Sequence, residues 1–221
     1  MSSCNDLGIC IDSELRFKGH INNIVTKAHQ RAALIKRCFR SRDPKHLFRA
    51  FTVYVRPLLE YNSPVWSPCY ASYVNLIEKV QRRFTNGLAG FKYLSYCDRL
   101  ARLNCDSLEL RRLRSDLIFL YKVFYGLVDV DFSSLFNIIP HCTRGHDKKL
   151  FKPQANCNVR AHFFACRVID VWNSLPASVV NADSLQTFCR LLLSTNLNKF
   201  IINVTCHGII CRAVTLINRR W

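Results

Sequence analysis

Carboxylates spaced by two residues occur twice, as Asp12 with Glu14 and as Asp129 with Asp131. A two-metal polymerase or nuclease needs carboxylates that converge on paired divalent ions, because the attacking and leaving oxygens must both be neutralised. On a strand, side chains two apart share one face, so the spacing alone permits that chemistry. The setting does not support it. Asp12 closes a short apolar run, and Asp129 and Asp131 follow a helix stop and precede Phe132-Ser133-Ser134-Leu135, so both pairs read as turn and cap residues. No nucleophile elbow, zinc-protease helix, P-loop or dinucleotide-binding glycine pattern is present. Cys206, His207 and Cys211 could offer three zinc ligands, but two of them are adjacent and no fourth lies nearby. The twelve cysteines include no C-x-x-C pair and read as small buried thiols rather than a disulfide framework. No catalytic residue, metal or cofactor is assigned, and an enzyme complete in this chain is not expected.

Positive charge is the feature that stands out. Lys and Arg number 32 against 15 Asp and Glu, a net charge of +17, which makes a polyanion the natural partner. Between residues 27 and 49 lie Lys27, Arg31, Lys36, Arg37, Arg40, Arg42, Lys45 and Arg49, with Asp43 the lone acid. Lys79, Arg82 and Arg83 form a second group with Lys92 beyond it, and Lys148 and Lys149 belong to a third with Arg144, Lys152 and Arg160. Such residues suit phosphate contact, against the plainer reading of solvated helix faces. Tyr54, Tyr61, Trp66, Tyr70 and Tyr73 could stack bases, but the helical phase of Tyr54 with Phe51, and the two prolines around Trp66, favour core packing.

The elements that must position these residues are mostly helices. Leu7 to Ile11 is read as one strand, with no other convincing strand before residue 150. Ile21, Ile24, Val25, Ala28, Ala32, Ile35 and Phe39 recur at helical spacing, and Asp43-Pro44 opens a second helix that Pro57 ends or kinks near Arg56. A third long helix follows from about Ser72 to Leu88, closed by Gly87 or Gly90. Ser95 with Asp98 forms a capping box, Asp106 to Glu109 starts a helix that reaches Tyr125, and Gly126 is its left-handed terminator. Residues 138–158 read as an exposed basic linker. One helix is expected over Ala161 to Trp172 and another over Leu185 to Leu192, capped by Asp183 or Ser184. The partition is a strand segment at 1–18, a helical domain at 19–137, the linker at 138–158, a smaller helical region at 159–194 and an unassigned tail at 195–221. No stretch spans a bilayer and the first residues lack a secretory pattern, so the expectation is a nuclear or cytoplasmic protein without membrane contact.

Several runs carry a family likeness. Leu7-Gly8-Ile9, Ile11-Asp12, Leu15, Phe17, His20-Ile21 and Lys27-Ala28, followed by Phe51, Tyr54-Val55-Arg56-Pro57-Leu58-Leu59-Glu60-Tyr61, Ser63 and Val65-Trp66-Ser67-Pro68, resemble the segment just after the palm in reverse transcriptases of jockey-like non-LTR retrotransposons. Ile77-Glu78, Val80-Gln81-Arg82-Arg83-Phe84-Thr85, Ser95-Tyr96, Arg99-Leu100, Leu108-Glu109, Arg111-Arg112, Tyr121-Lys122, Arg144-Gly145-His146, Phe163-Phe164, Arg167-Val168-Ile169, Trp172-Asn173 and Leu175-Pro176 resemble the thumb and the helical region behind it. The likeness covers roughly residues 7–193. It implies a mainly α, thumb-like bundle with one residual palm strand and a smaller helical C-terminal region. Its partner would be RNA or an RNA/DNA duplex, held by a monomer without polymerase residues of its own, with an intact element reverse transcriptase acting in trans as a further partner. The family's aromatic-Ala-Asp-Asp motif does not occur in this sequence. The reading kept beside it is a helical scaffold that binds a protein partner through the former palm-facing surface, or a fragment without function.

Overall fold

The computed structural model describes residues 3–140 and 145–202. Within them the chain is mainly helical, with one small antiparallel sheet at the N-terminal end and helices continuing towards the C-terminal end. Strand β1 (Ser3–Asp6) pairs with β2 (Ile9–Asp12) in the register Ser3 to Asp12 and Asp6 to Ile9. The single strand expected over Leu7 to Ile11 is therefore a hairpin. Leu7 and Gly8 form its two-residue turn, both at positive φ (44° and 85°), which is what a tight turn matched to strand twist requires. β1 escaped sequence reading because its four residues are all exposed and carry no alternation of apolar and polar positions.

Helix α1 (Lys18–Cys38) buries Ile21, Ile24, Val25, Ala28, Ala32 and Ile35, the apolar phase read from sequence. It starts where Asp12 gathers the backbone N–H groups of Glu14, Arg16 and Phe17 at 3.1, 3.0 and 2.7 Å, so the carboxylate builds a turn and is not aimed at a metal. Helix α2 (Pro44–Tyr54) begins with the Lys45 N–H donating to Asp43 Oδ1 at 2.8 Å and with proline at the first position. The chain breaks at Val55 and resumes as α3 (Arg56–Glu60), as Pro57 requires. Then come α4 (Ser63–Trp66), α5 (Ala71–Asn86), α6 (Tyr96–Arg102), capped by Ser95, and α7 (Leu108–Phe124), capped by Ser107 and followed by Gly126 at φ 63°.

Beyond these lie α8 (Phe132–Leu135), whose cap is Asp131 through the Ser133 N–H, then α9 (Asn158–His162), α10 (Phe164–Arg167) and α11 (Ile169–Asn173). The one helix expected over 161–172 is thus three short pieces, parted at Phe163, whose ψ of 145° is extended. Helix α12 (Ala177–Val180) leads to α13 (Leu185–Ser194), capped by Ser184, and a last 3-10 turn spans Asn198–Phe200.

Among the described residues two apolar clusters fill the interior. The first joins α1, α2, α3 and α5 around Phe51, Leu59, Trp66, Ile77 and Phe84. The second gathers Leu117, Leu120 and Tyr121 of α7 with Phe164, Trp172, Phe188 and Leu197. Each fully buried side chain of this size contributes about 1.5–3 kcal/mol relative to exposure. α7 enters both clusters, through Leu108 at one end and Leu117 to Tyr121 at the other.

Most described residues of the stretch expected as an exposed linker are exposed, but two are buried: Leu150 fully so, in the second cluster, and His146 nearly so. Leu150 pairs in a bridge with Ile138, and its N–H and C=O are both held by the side chain of Asn173, at 2.9 and 2.8 Å. The expectation of buried thiols also needs correction. Among the described residues only Cys166 is a buried free cysteine, and Cys97 is disulfide-bonded. Cysteines 206 and 211 and His207 lie outside the described residues.

Candidate functional site

The basic residues singled out from sequence fall on two parts of the molecule. α1 packs against both α2 and α5, so their outer faces adjoin. Lys27, Arg31, Arg37, Arg40, Arg42, Lys45, Arg49, Lys79 and Arg83 are exposed on these helices and the turn between α1 and α2, and Lys36 and Arg82 are half-buried. Lys148 and Lys149 lie instead beside Leu150, which belongs to the second cluster. Lys148 Nζ bonds the Tyr125 hydroxyl at 2.7 Å and lies over its ring, so this pair is not brought into the α1–α5 face.

Electrostatics mark where α1 and α5 meet. His29 on α1 is held below its ordinary range by burial and then by the charges of Arg83 and Lys79 on α5. Lys36 is lowered by burial and then by Arg83. Positive groups from two helices therefore repel one another across this seam, a cost that water or a bound anion offsets. Among the described residues, Lys27, Arg31, Lys36, Arg37, Arg40, Arg42, Lys45, Arg49, Lys79, Arg82, Arg83 and Lys148 have no carboxylate partner. Some of them serve the protein: Arg31 donates to the Tyr54 carbonyl at 3.2 Å, Arg42 to that of Lys36 at 2.8 Å, and Lys36 lies over the Phe84 ring.

Several acids are used elsewhere, while Asp43 stays in the basic region, paired with His46. Glu60 pairs with Arg111 and Arg56, Asp106 with Arg114, and Asp116 with Arg167 at 2.9 Å. Asp116 is almost fully buried, and burial pushes its pKa up against the opposing pull of Arg167. Glu78, also buried, accepts from the Tyr96 hydroxyl and from the N–H groups of Leu108 and Glu109, tying α5 to the starts of α6 and α7.

The residues that carry the family likeness are largely interior. His20 accepts from the Cys10 N–H at 3.3 Å and meets Trp66 edge-on, and the Trp66 indole N–H donates to the Tyr61 carbonyl at 2.8 Å. Those contacts lock the hairpin to α1 and α4. Arg167 reaches from Asp116 to the Pro64 carbonyl at 2.8 Å, and Trp172 donates to the Lys148 carbonyl. Arg112 is fully buried with one unpartnered nitrogen.

Of the aromatic stripe, Trp66 is core as expected. Tyr54, Tyr61 and Tyr70 are exposed, because the buried positions at the helix breaks are taken by Val55, Leu59 and Trp66. Tyr70 and Tyr73 join Phe17, Leu15, Val65 and Phe163 around an apolar cavity of about 450 Å³. Sequence reading missed this groove, since its walls come from segments far apart in the chain and no local pattern signals it. It also missed His29 and Arg102 near the basic face. Among the described residues no group of His, Cys, Asp and Glu is arranged to hold a metal, and no helix is long and apolar enough to cross a membrane.

No family model matches the chain, and no solved structure matches it. An uncharacterized protein of Caenorhabditis elegans is 31% identical over 125 residues, which make up 55% of this chain and 63% of that protein. The chain thus spans less than two thirds of that relative's length.

Proposed function

We propose that this chain is a nucleic-acid-binding helical module that resembles the thumb and C-terminal segment of a jockey-like non-LTR reverse transcriptase, and that it holds RNA or an RNA/DNA duplex without carrying out polymerisation. The observation that carries this reading is the placement of charge: Glu60, Asp106 and Asp116 pair with Arg56, Arg111, Arg114 and Arg167, while the Lys and Arg side chains of α1, α2 and α5 are mostly exposed and have no carboxylate partner among the described residues, Asp43, paired with His46, being the one exposed acid among them. A donor-rich surface of this kind suits a phosphate backbone and reads no bases. Non-specific affinity of roughly 10⁻⁴ to 10⁻⁶ M at physiological salt is expected. Titration of a hairpin RNA and a hybrid duplex at several salt concentrations tests it: log affinity should fall linearly with log salt, and a flat plot would remove the reading. The apolar groove beside Tyr70 and Phe163 favours a second reading, a scaffold for a protein partner, which would give salt-insensitive association instead.

A further inference from the structure

Where α5 ends, the chain passes through Gly87-Leu88-Ala89-Gly90 beside the last turn of α1, and a depression of about 460 Å³ opens there, lined by Lys36, Arg42 and Lys92. Its polar side chains are these three cations and Asn86, whose amide oxygen accepts from Arg99. The ammonium groups of Lys36 and Lys92 have no hydrogen-bond acceptor among the described residues; they lie only over the Phe84 and Tyr93 rings. Arg42 spends one N–H on the Lys36 carbonyl and Arg102, alongside, spends one on the Gly90 carbonyl, which leaves most of each guanidinium's five donors. The backbone N–H groups of Ala89 and Gly90 likewise donate to nothing among the described residues, while the Phe91 N–H closes the turn onto Leu88. No carboxylate pairs with any of these cations.

Capping of helix C-termini explains part of this set, since cations there complement the helix dipole. It explains Arg42. It does not explain Lys92, which stands outside any helix, nor the unused N–H groups, nor the placement of Lys36. That side chain runs back over Gly87, where any Cβ would collide with its Nζ, so the glycine makes room for an ammonium that has no acceptor.

We infer that this depression seats a terminal phosphate of a bound nucleic-acid strand. A phosphomonoester carries about −1.5 to −2 charge near neutral pH and three acceptor oxygens, against one charge for a diester along the strand, and so matches a concave cluster of donors better than a passing backbone does. The inference rests on the nucleic-acid reading above and assigns one place within it.

The test compares one hairpin RNA bearing a 5′-phosphate, a 3′-phosphate or only hydroxyl ends. One phosphorylated form should bind at least about fivefold more tightly than the hydroxyl form, as charge-assisted hydrogen bonds would provide. In Gly87→Ala, whose backbone (φ −90°) accepts alanine, the Lys36 ammonium is displaced and the ratio should fall towards one. Lys92→Gln, at an exposed side chain that lies over the Tyr93 ring, should lower the ratio independently. The ratio is the readout because a general loss of charge weakens both forms alike. Equal affinity for all three ends, with salt-dependent binding intact, would overturn the seat and leave the nucleic-acid reading standing. A preference undiminished in both variants would overturn its location. Tighter binding to phosphoinositide vesicles than to any of the RNAs would give the depression to a lipid headgroup and overturn the inference.

Discussion

Arg82 and Arg83 are neighbours in sequence with opposite physical settings. Arg82 lies over the Tyr96 ring at 5.0 Å with its Nε buried, and Tyr96 in turn donates to the buried Glu78. Arg83 is exposed and faces His29 and Lys36, whose protonation its charge disfavours. A carboxylate at 82 would sit beside Glu78 with its cation–π contact gone, so Arg82→Glu should cost about 1–2 kcal/mol of stability. Arg83→Glu should leave the unfolding midpoint unchanged or slightly raised, because it removes like-charge repulsion. It should weaken binding to unrelated RNA sequences equally and reduce the salt slope by about one. Chemical denaturation and matched titrations of the two single variants separate these roles. Equal stability loss in both would show that Arg83 also packs, and an unchanged affinity in Arg83→Glu would move the binding face away from the α1–α5 seam.

At the scale of elements, the clearest device is the hold of Asn173 on Leu150. Its amide accepts from the Leu150 N–H and donates to the Leu150 carbonyl, acting as one residue of a missing strand, while His146 bonds the Trp172 carbonyl beside it and the Trp172 indole N–H donates to the Lys148 carbonyl. Asn173→Ala would leave both backbone groups of a buried residue unpaired and should cost about 2 kcal/mol. Amide exchange at Leu150 should accelerate more than at Leu117 in the middle of α7, and uniform acceleration would show that the clamp stabilises nothing local. This arrangement was invisible in sequence, where glycine, proline and basic residues at 138–158 spelled an exposed loop, because its burial depends on a side chain more than twenty residues away. Helix starts were legible where the signal is local: Asp43-Pro44, Ser95, Ser107 and Ser184 each cap the helix their types announce. The hairpin was half legible, since Gly8 marks the turn but β1 has no buried face. Tyr54 shares helical phase with Phe51, yet α2 stops there and Val55 turns inwards in its place. The basic set was legible as a list, and its division between the α1–α5 face and the Tyr125 side was not.

For the whole molecule, a charge of +17 acts on two equilibria with opposite sign. Folding brings the cations of α1, α2 and α5 together on one side, where Asp43 is the one exposed acid, so self-repulsion is larger in the compact state than in the unfolded chain. Salt screens that repulsion, with a Debye length of about 10 Å at 0.1 M falling to about 3 Å at 1 M. The buried pair of Asp116 and Arg167 is shielded from the same ions and loses little. Thermal stability of the free protein should therefore rise between low and moderate salt. Binding to RNA runs the other way, because each phosphate contact releases counterions, and six to ten contacts would weaken affinity by about 10³ to 10⁵ between 50 and 200 mM salt. The stabilisation that RNA confers on the fold should shrink over the same range, as mass action requires. Thermal melts with and without hairpin RNA across a salt series measure both slopes on one sample. A free-protein midpoint that falls with salt would mean that exposed ion pairs, not the segregated cations, dominate the surface. An RNA-induced shift that persists at high salt would mean that apolar contact, as in the groove beside Tyr70, carries the affinity in place of the phosphates.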